Sequence, residues 1–321
     1  MTPPEILLTA PMRPIVTDTL APAGFTLHQL RDQPDAFWRD TASRIRGVAT
    51  STLYGHTGAE LFDRLPNLEI VSSFGVGYDN VDAAAAAARG IIVTNTPGVL
   101  DEEVADLTLG LLLATVRRIP QADRHVREGR WPGGAFPLSP TLRGRRVGIV
   151  GLGNIGKAIA RRLEGFAVDI AYHSRREQPG VAYAYYATLL SLAEACDILV
   201  VIVPGGAATK HLIDAQVLEA LGPNGILINV ARGSVVDEAA LIKALQSGII
   251  LAAGLDVYAD EPHVPQALID LPNTVLLPHV GSATAHTRDA MGKLVADNLL
   301  AWFGEGRPLT PVAESLPLLK G

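Results

Sequence analysis

Three residues able to do proton and anion chemistry stand just beyond the C-terminal ends of apolar runs. Arg232 follows the run 226–230 through Ala231, Glu261 lies in the loop after 251–257, and His279 follows 275–278 directly. Transfer of a hydride to a ketone needs such a set. An acid must protonate the forming alkoxide, and a cation must hold a carboxylate and polarise the carbonyl. A carboxylate beside the acid raises its pKa, so that the acid stays charged and able to donate. His279, Arg232 and Glu261 suit those roles in that order. Each also has a plainer reading alone. Glu261-Pro262 suits a turn, Arg232-Gly233 suits an ion pair at a turn, and His279 has His263 and His286 as neighbouring rivals. Three strand-end placements in one stretch of chain favour the chemistry, because ligands of open parallel sheets bind outside the carboxyl ends of the strands.

The run 146–150 leads into Gly151-Leu-Gly153-Asn154-Ile155-Gly156 and then a helical pattern over 157–163. A lone GxGxxG is weak, but between a predicted strand and a predicted helix it reads as a dinucleotide site. Gly151 permits the tight turn, Gly153 admits a pyrophosphate to the backbone, and Gly156 lets the helix pack on the sheet. Free N–H groups at the helix start bind the phosphate charge. An NAD site carries Asp or Glu at the end of the second strand, for the ribose 2′-hydroxyl. Here the chain reads Ala171-Tyr172-His173-Ser174-Arg175-Arg176, and Ser174 lies 18 residues after Gly156. A small hydroxyl and two guanidiniums suit a 2′-phosphate, so NADP(H) is preferred over NAD(H); two solvated surface arginines are the alternative. Asp256, in AAGLDVY, either accepts a bond from a nicotinamide carboxamide or caps the following turn.

The elements that must hold these residues are βα units. Short β-branched runs alternate with Ala- and Leu-rich segments throughout, the mark of a parallel α/β sheet. A first series comprises 6–8, 47–49, 70–73 and 91–94, with a crossover helix over 81–89. A second comprises 146–150, 168–172, 198–203, 226–230, 251–255 and 275–277. A helix over 102–116 and an irregular arm over 129–144, with Pro132, Pro137 and Pro140, join the two.

The 321 residues suggest about two domains, and a 48% hydrophobic content supplies a core and excludes a disordered chain. The most apolar runs, 107–116 and 198–204, fall far short of a membrane span. The start has no basic residue before Arg13 and no long apolar stretch, which argues against a signal peptide and for a cytoplasmic protein. A net charge of −6 argues against a nucleic-acid partner. The single cysteine, Cys196, beside the run 198–203, reads as a packed thiol. Neither CxxC nor HExxH offers a metal site.

NVARGSVVDEAAL (229–241), GLDVYADEP (254–262) and LLPHVGSAT (277–284), behind VGIVGLGNIG (147–156), resemble the D-isomer-specific 2-hydroxyacid dehydrogenases. VSSFGVGYDNVD (71–82) and NTPGVLDEEVADLTLGLLL (95–113) extend the resemblance over nearly the whole chain. The SRR at 174–176 looks most like the NADPH-dependent glyoxylate/hydroxypyruvate reductase branch. The resemblance implies two Rossmann-like or flavodoxin-like parallel-sheet domains, one inserted into the other. Residues 1–98 with 286–321 would bind substrate, and 99–285 the dinucleotide. It implies catalysis by Arg232, Glu261 and His279, and a substrate carboxylate held by Arg232 and the backbone of Val76 and Gly77. Pro204, Thr209, Val230, Ala231 and Gly281 would line the cofactor cleft, with Asp256 on the nicotinamide side. Val104 stands where several relatives carry a threonine near the cofactor. Lobe closure would exclude water from the hydride. A homodimer through 99–144 is implied, with Trp131 or Phe136 reaching the partner's active site or simply packing in the interface. A regulatory domain of the kind some phosphoglycerate dehydrogenases carry is not expected. The implied reaction is reduction of glyoxylate or hydroxypyruvate to glycolate or the (R)-2-hydroxyacid. The rivals are a bulkier acid, (hydroxyphenyl)pyruvate or a 2-ketosugar acid such as 2-ketogluconate, separated from the first reading by a pocket size that Leu53, Tyr54 and Phe74 alone do not reveal, and a dinucleotide-sensing protein like the corepressors of this fold.

Overall fold

Two parallel sheets carry the chain, each built from the short apolar runs. A computed structural model describes residues 4–30, 35–52 and 54–319; Leu53 lies outside them. The chain divides into two units, Met1–Leu100 with Thr284–Gly321, and Asp101–Ala283, so the second interrupts the first in sequence.

The first unit contains β1 (Glu5–Leu8), β2 (Thr26–Gln29), β3 (Ile45–Ser51), β4 (Ile70–Phe74) and β5 (Ile92–Thr94), in the order β2-β1-β3-β4-β5. Every pairing is parallel. β4 is buried along its whole length, as a central strand covered on both faces must be. Ser72 donates to the carbonyl of Val295 at 3.1 Å, tying the long helix Ala285–Glu305 to this sheet. Beyond β4 the chain turns through Gly75, Val76 and Gly77. There the Asn95 amide donates to the Val76 carbonyl at 2.7 Å, and Thr96 Oγ1 accepts from the Gly75 N–H at 3.1 Å.

The second unit contains β6 (Arg146–Val150), β7 (Asp169–His173), β8 (Ala184–Tyr186), β9 (Ile198–Val201), β10 (Ile226–Asn229), β11 (Ala252–Leu255) and β12 (Thr274–Leu276). Their order is β12-β11-β10-β9-β6-β7-β8, all parallel. Alternate side chains of each strand enter opposite cores. Val150, Leu199, Val201 and Leu227 face one, with Leu192, Leu218 and Leu241 from covering helices. Ile149, Val200 and Ile228 face the other, with Leu112 and Ile159 from the helices Asp101–Arg117 and Asn154–Leu163. Each fully buried Leu, Ile or Val contributes roughly 1.5–3 kcal/mol. From β6 the chain winds outward through β7 and β8, then returns to β9 and winds the other way. That reversal opens a crevice at the carboxyl ends of β6 and β9, as in a Rossmann sheet.

Two strands differ from the sequence reading, which omitted β2 and β8. Both are edge strands of three or four residues with half-exposed side chains, so neither shows a continuous apolar run. The helix expected from 157 begins earlier, at Asn154, with Gly153 as its N-cap. Residues 129–144 are irregular apart from a short turn, Trp131–Gly133. On this arm Trp131 is 66% exposed and Leu138 99%. The Arg118 guanidinium lies 5.2 Å from the Phe136 ring centroid.

Candidate active site

The glycine turn after β6 is shaped by contact as much as by conformation. Gly151 has φ +100°, and a Cβ there would lie 2.5 Å from the Ile202 carbonyl oxygen. A Cβ on Gly156 would strike the Gly151 carbonyl, whereas Gly153 faces open space. So two glycines close the turn and the third leaves backbone uncovered at a helix start, where unpaired N–H groups attract phosphate. This arrangement fits a dinucleotide pyrophosphate.

At the end of β7, Ser174 Oγ donates to the Arg176 carbonyl at 2.6 Å, and Arg175 and Arg176 are exposed. After β9, Thr209 Oγ1 donates to the Pro204 carbonyl at 2.7 Å, which closes that turn.

Arg232, Glu261 and His279 follow β10, β11 and β12, three adjacent strands, and so share one sheet edge with the glycine turn. Buried Asn229, the last residue of β10, shapes the first loop. Its Oδ1 accepts from the Ala231 N–H and its Nδ2 donates to the Arg232 carbonyl, both at 3.1 Å. Val230 and Ala231 are buried, and Arg232 Nη1 donates to the Ala231 carbonyl at 2.8 Å. A Cβ on Gly233 would overlap the Tyr258 backbone, so the Arg232 and Glu261 loops touch with no side chain between them.

In the second loop, the Glu261 carboxylate uses both oxygens. Oε1 accepts from the Tyr258 N–H at 3.0 Å, and Oε2 lies 2.6 Å from His279 Nδ1. Glu238 accepts from the Ala259 N–H at 2.8 Å, and the Tyr258 hydroxyl donates to the Leu277 carbonyl at 2.9 Å. Burial acts to raise the Glu261 carboxyl. The His279 and Tyr258 bonds and the charges of His279 and Arg232 outweigh it, leaving the group below its ordinary value.

His279 has φ +53°, in the left-handed region that costs a residue other than glycine about 1–3 kcal/mol. Asp256 holds it there. Its Oδ1 accepts from Val280 N and its Oδ2 from Gly281 N, both at 2.8 Å. Asp256 is 2% exposed, and burial raises its carboxyl despite these two bonds and the nearby His279 charge. Asp256 does not cap the turn that follows it, whose Tyr258 N–H is taken by Glu261; it caps the separate loop carrying His279. Val104 is buried beside this loop, 3.5 Å from where a Gly281 Cβ would stand.

The rival histidines are differently placed. The His263 side chain is 79% exposed, 3.7 Å from Asp260, and His286 is exposed at the start of the long helix. A second Arg-Glu-His cluster, Arg44, Glu5 and His28, sits in the first unit. It gathers around Glu5, the first residue of β1, at the amino edge of its sheet, away from the strand ends that bind ligands. The Cys196 thiol is buried, and burial pushes its pKa up to about 12, which disables it as a nucleophile. Val76 and Gly77 belong to the first unit, in the loop after β4. Among the described residues no cluster has the make-up of a metal site, and no helix is long and apolar enough to cross a membrane.

A doubly wound sheet with a glycine turn shaped for phosphate, and a paired imidazole and carboxylate on the same edge, fits the class of dinucleotide-dependent oxidoreductases. Residues 109–281 match the family described as D-isomer specific 2-hydroxyacid dehydrogenase, NAD binding domain. Glyoxylate/hydroxypyruvate reductase A HPR2 of Arabidopsis thaliana is 53% identical over 268 residues, covering 84% of this chain and 85% of the relative. Hydroxyphenylpyruvate reductase of Plectranthus scutellarioides is 51% identical over 272 residues, covering 84% and 86%. Among solved structures, the NADPH-dependent glyoxylate/hydroxypyruvate reductase of Sinorhizobium meliloti, in complex with NADP and malonate, superposes with TM-score 0.92 at 55% identity, over 97% of each chain. The chain belongs to the D-isomer-specific 2-hydroxyacid dehydrogenase family, and it is an NAD(P)-dependent dehydrogenase.

Glu238 and Tyr258 leave no signal in the sequence, because their partners are the main-chain atoms of Ala259 and Leu277.

Proposed function

We propose that this enzyme uses NADPH to reduce a small 2-oxoacid, glyoxylate or hydroxypyruvate, to glycolate or the (R)-2-hydroxyacid. The observation that carries the reading is the 2.6 Å His279–Glu261 pair beside Arg232, on the edge that bears the glycine turn. A bound nicotinamide supplies the hydride to C2 of the oxoacid. His279 donates its Nε2 proton to the carbonyl oxygen as it becomes an alkoxide, and is reprotonated from solvent. Glu261 keeps Nδ1 protonated and stabilises the charged ring. Arg232 binds the substrate carboxylate through its fork and polarises the carbonyl; Val76 and Gly77 of the first unit are assigned to substrate through their backbone N–H groups. Pro204, Thr209, Val230, Ala231 and Gly281 line the cofactor cleft, and Arg175 and Arg176 take the 2′-phosphate from a loop that Ser174 closes through its bond to the Arg176 carbonyl. Residues 1–98 with 286–321 form the substrate domain, and 99–285 the dinucleotide domain.

The relatives named above support the substrate class, and the NADP complex of the Sinorhizobium structure supports the cofactor. The Plectranthus relative favours a bulkier aromatic oxoacid as the second reading. The exposed Trp131 and Leu138 on the 129–144 arm support a homodimer through 99–144. An NADPH and NADH oxidation assay across glyoxylate, hydroxypyruvate, hydroxyphenylpyruvate and 2-ketogluconate tests the substrate and the cofactor. Highest kcat/KM for glyoxylate or hydroxypyruvate with NADPH is expected. Highest kcat/KM for an aromatic acid moves the assignment to the second reading, and no turnover on any acid overturns both.

A further inference from the structure

We infer that Gln178 is a positioning residue for the NADPH 2′-phosphate, bracing the arginine loop against the glycine turn; this rests on the NADPH reading above. Gln178 Nε2 donates to the carbonyl of Leu152 at 2.7 Å, and Leu152 stands between Gly151 and Gly153. The Gln178 backbone N–H donates to the Tyr172 hydroxyl at 2.9 Å. Tyr172 is 1% exposed on β7, with its ring 5.4 Å from that of Tyr185 on β8. The Tyr185 hydroxyl donates in turn to the Ser174 carbonyl at 3.3 Å, and Ser174 Oγ closes onto the Arg176 carbonyl. The segment 174–178 is thus pinned at both ends, and its C-terminal end is tied to the pyrophosphate turn.

A brace of this kind matters for one ligand more than another. In a dinucleotide the adenosine 2′-phosphate and the pyrophosphate hang from the same ribose, so the span between them is fixed by covalent geometry. A loop that presents exposed arginines meets that span only if its distance from the glycine turn is held. Guanidinium–phosphate bonds gain their strength from alignment, and an unbraced loop must be ordered at binding, at a cost in affinity. The 2′-hydroxyl of NADH asks far less of the arginine loop. Gln178 therefore acts on selectivity between the two cofactors.

The test uses the full-length enzyme with Q178M, which keeps the stem and removes the donor, and Q178A as a second variant. Inhibition constants for adenosine 2′,5′-bisphosphate and 5′-AMP, and dissociation constants for NADPH and NADH, are read against wild type. The 2′-phosphorylated ligands are expected to weaken about five- to tenfold, with 5′-AMP and NADH unchanged within twofold. Each ratio of constants is independent of the folded fraction, so it remains readable in a destabilised variant. An unchanged ratio, whether both ligands hold or both weaken together, overturns the role of Gln178 while wild-type preference for the bisphosphate keeps the NADPH reading. A wild type that binds both fragments equally overturns the NADPH reading and this inference with it.

Discussion

Glu261 binds two partners at once, the ring nitrogen of His279 at 2.6 Å and the backbone N–H of Tyr258 at 3.0 Å. The second bond fixes the carboxylate in its own loop, so that the first can fix the imidazole in another. Depression of the Glu261 carboxyl has a stability consequence with a definite sign. Such a group adds stability that is present above its unfolded value, about 4.3, and lost as pH falls through its lower folded value. Wild type should therefore melt above E261Q at pH 6–7, with the gap closing below about pH 4. Melting curves across pH 3–7 measure this, and a pH-independent gap would contradict a paired carboxylate.

Replacing His279 by Ala removes the proposed acid and leaves the glycine turn intact. Turnover of the best 2-oxoacid should fall by at least ~100-fold, with the NADPH dissociation constant little altered. Steady-state kinetics and a fluorescence titration separate the two. Near-normal turnover in H279A would falsify the assignment.

Arg232→Lys retains the positive charge and loses the planar fork. The KM for the oxoacid should rise about tenfold or more, while the KM for NADPH stays within twofold. Weakening confined to the cofactor would move Arg232 out of the substrate site.

Gly233→Ala forces a methyl group into the Tyr258 backbone, which has no flexible end to swing aside. Overpacking of this order costs roughly 1–3 kcal/mol, and it separates the loops of Arg232 and Glu261. Urea unfolding should show the loss, together with a fall in kcat in the fraction that remains folded. Wild-type turnover in G233A would show that contact between the loops is dispensable.

The central strands were legible because β6, β9, β10 and β11 are buried on both faces, and burial of that kind writes continuous apolar runs. The residues at their carboxyl ends could then be listed by position alone. Edge strands β2 and β8 were not legible, since solvent on one side permits Thr, His, Gln and Tyr among few apolar residues. Asp256 stands out in the sequence as a candidate, but its grip on the amides that follow His279 does not, because a left-handed histidine cannot be read from residue types. Gln178, Glu238 and Tyr258 were missed for the related reason that main-chain partners are the same at every position.

Cys196, the one thiol in the chain, lies buried with its ionisation pushed out of the neutral range. Maleimides and similar reagents should therefore leave the native enzyme untouched. A cysteine introduced at a chosen surface position would take up a fluorophore or spin label without background, opening the movements of this enzyme during turnover to direct observation.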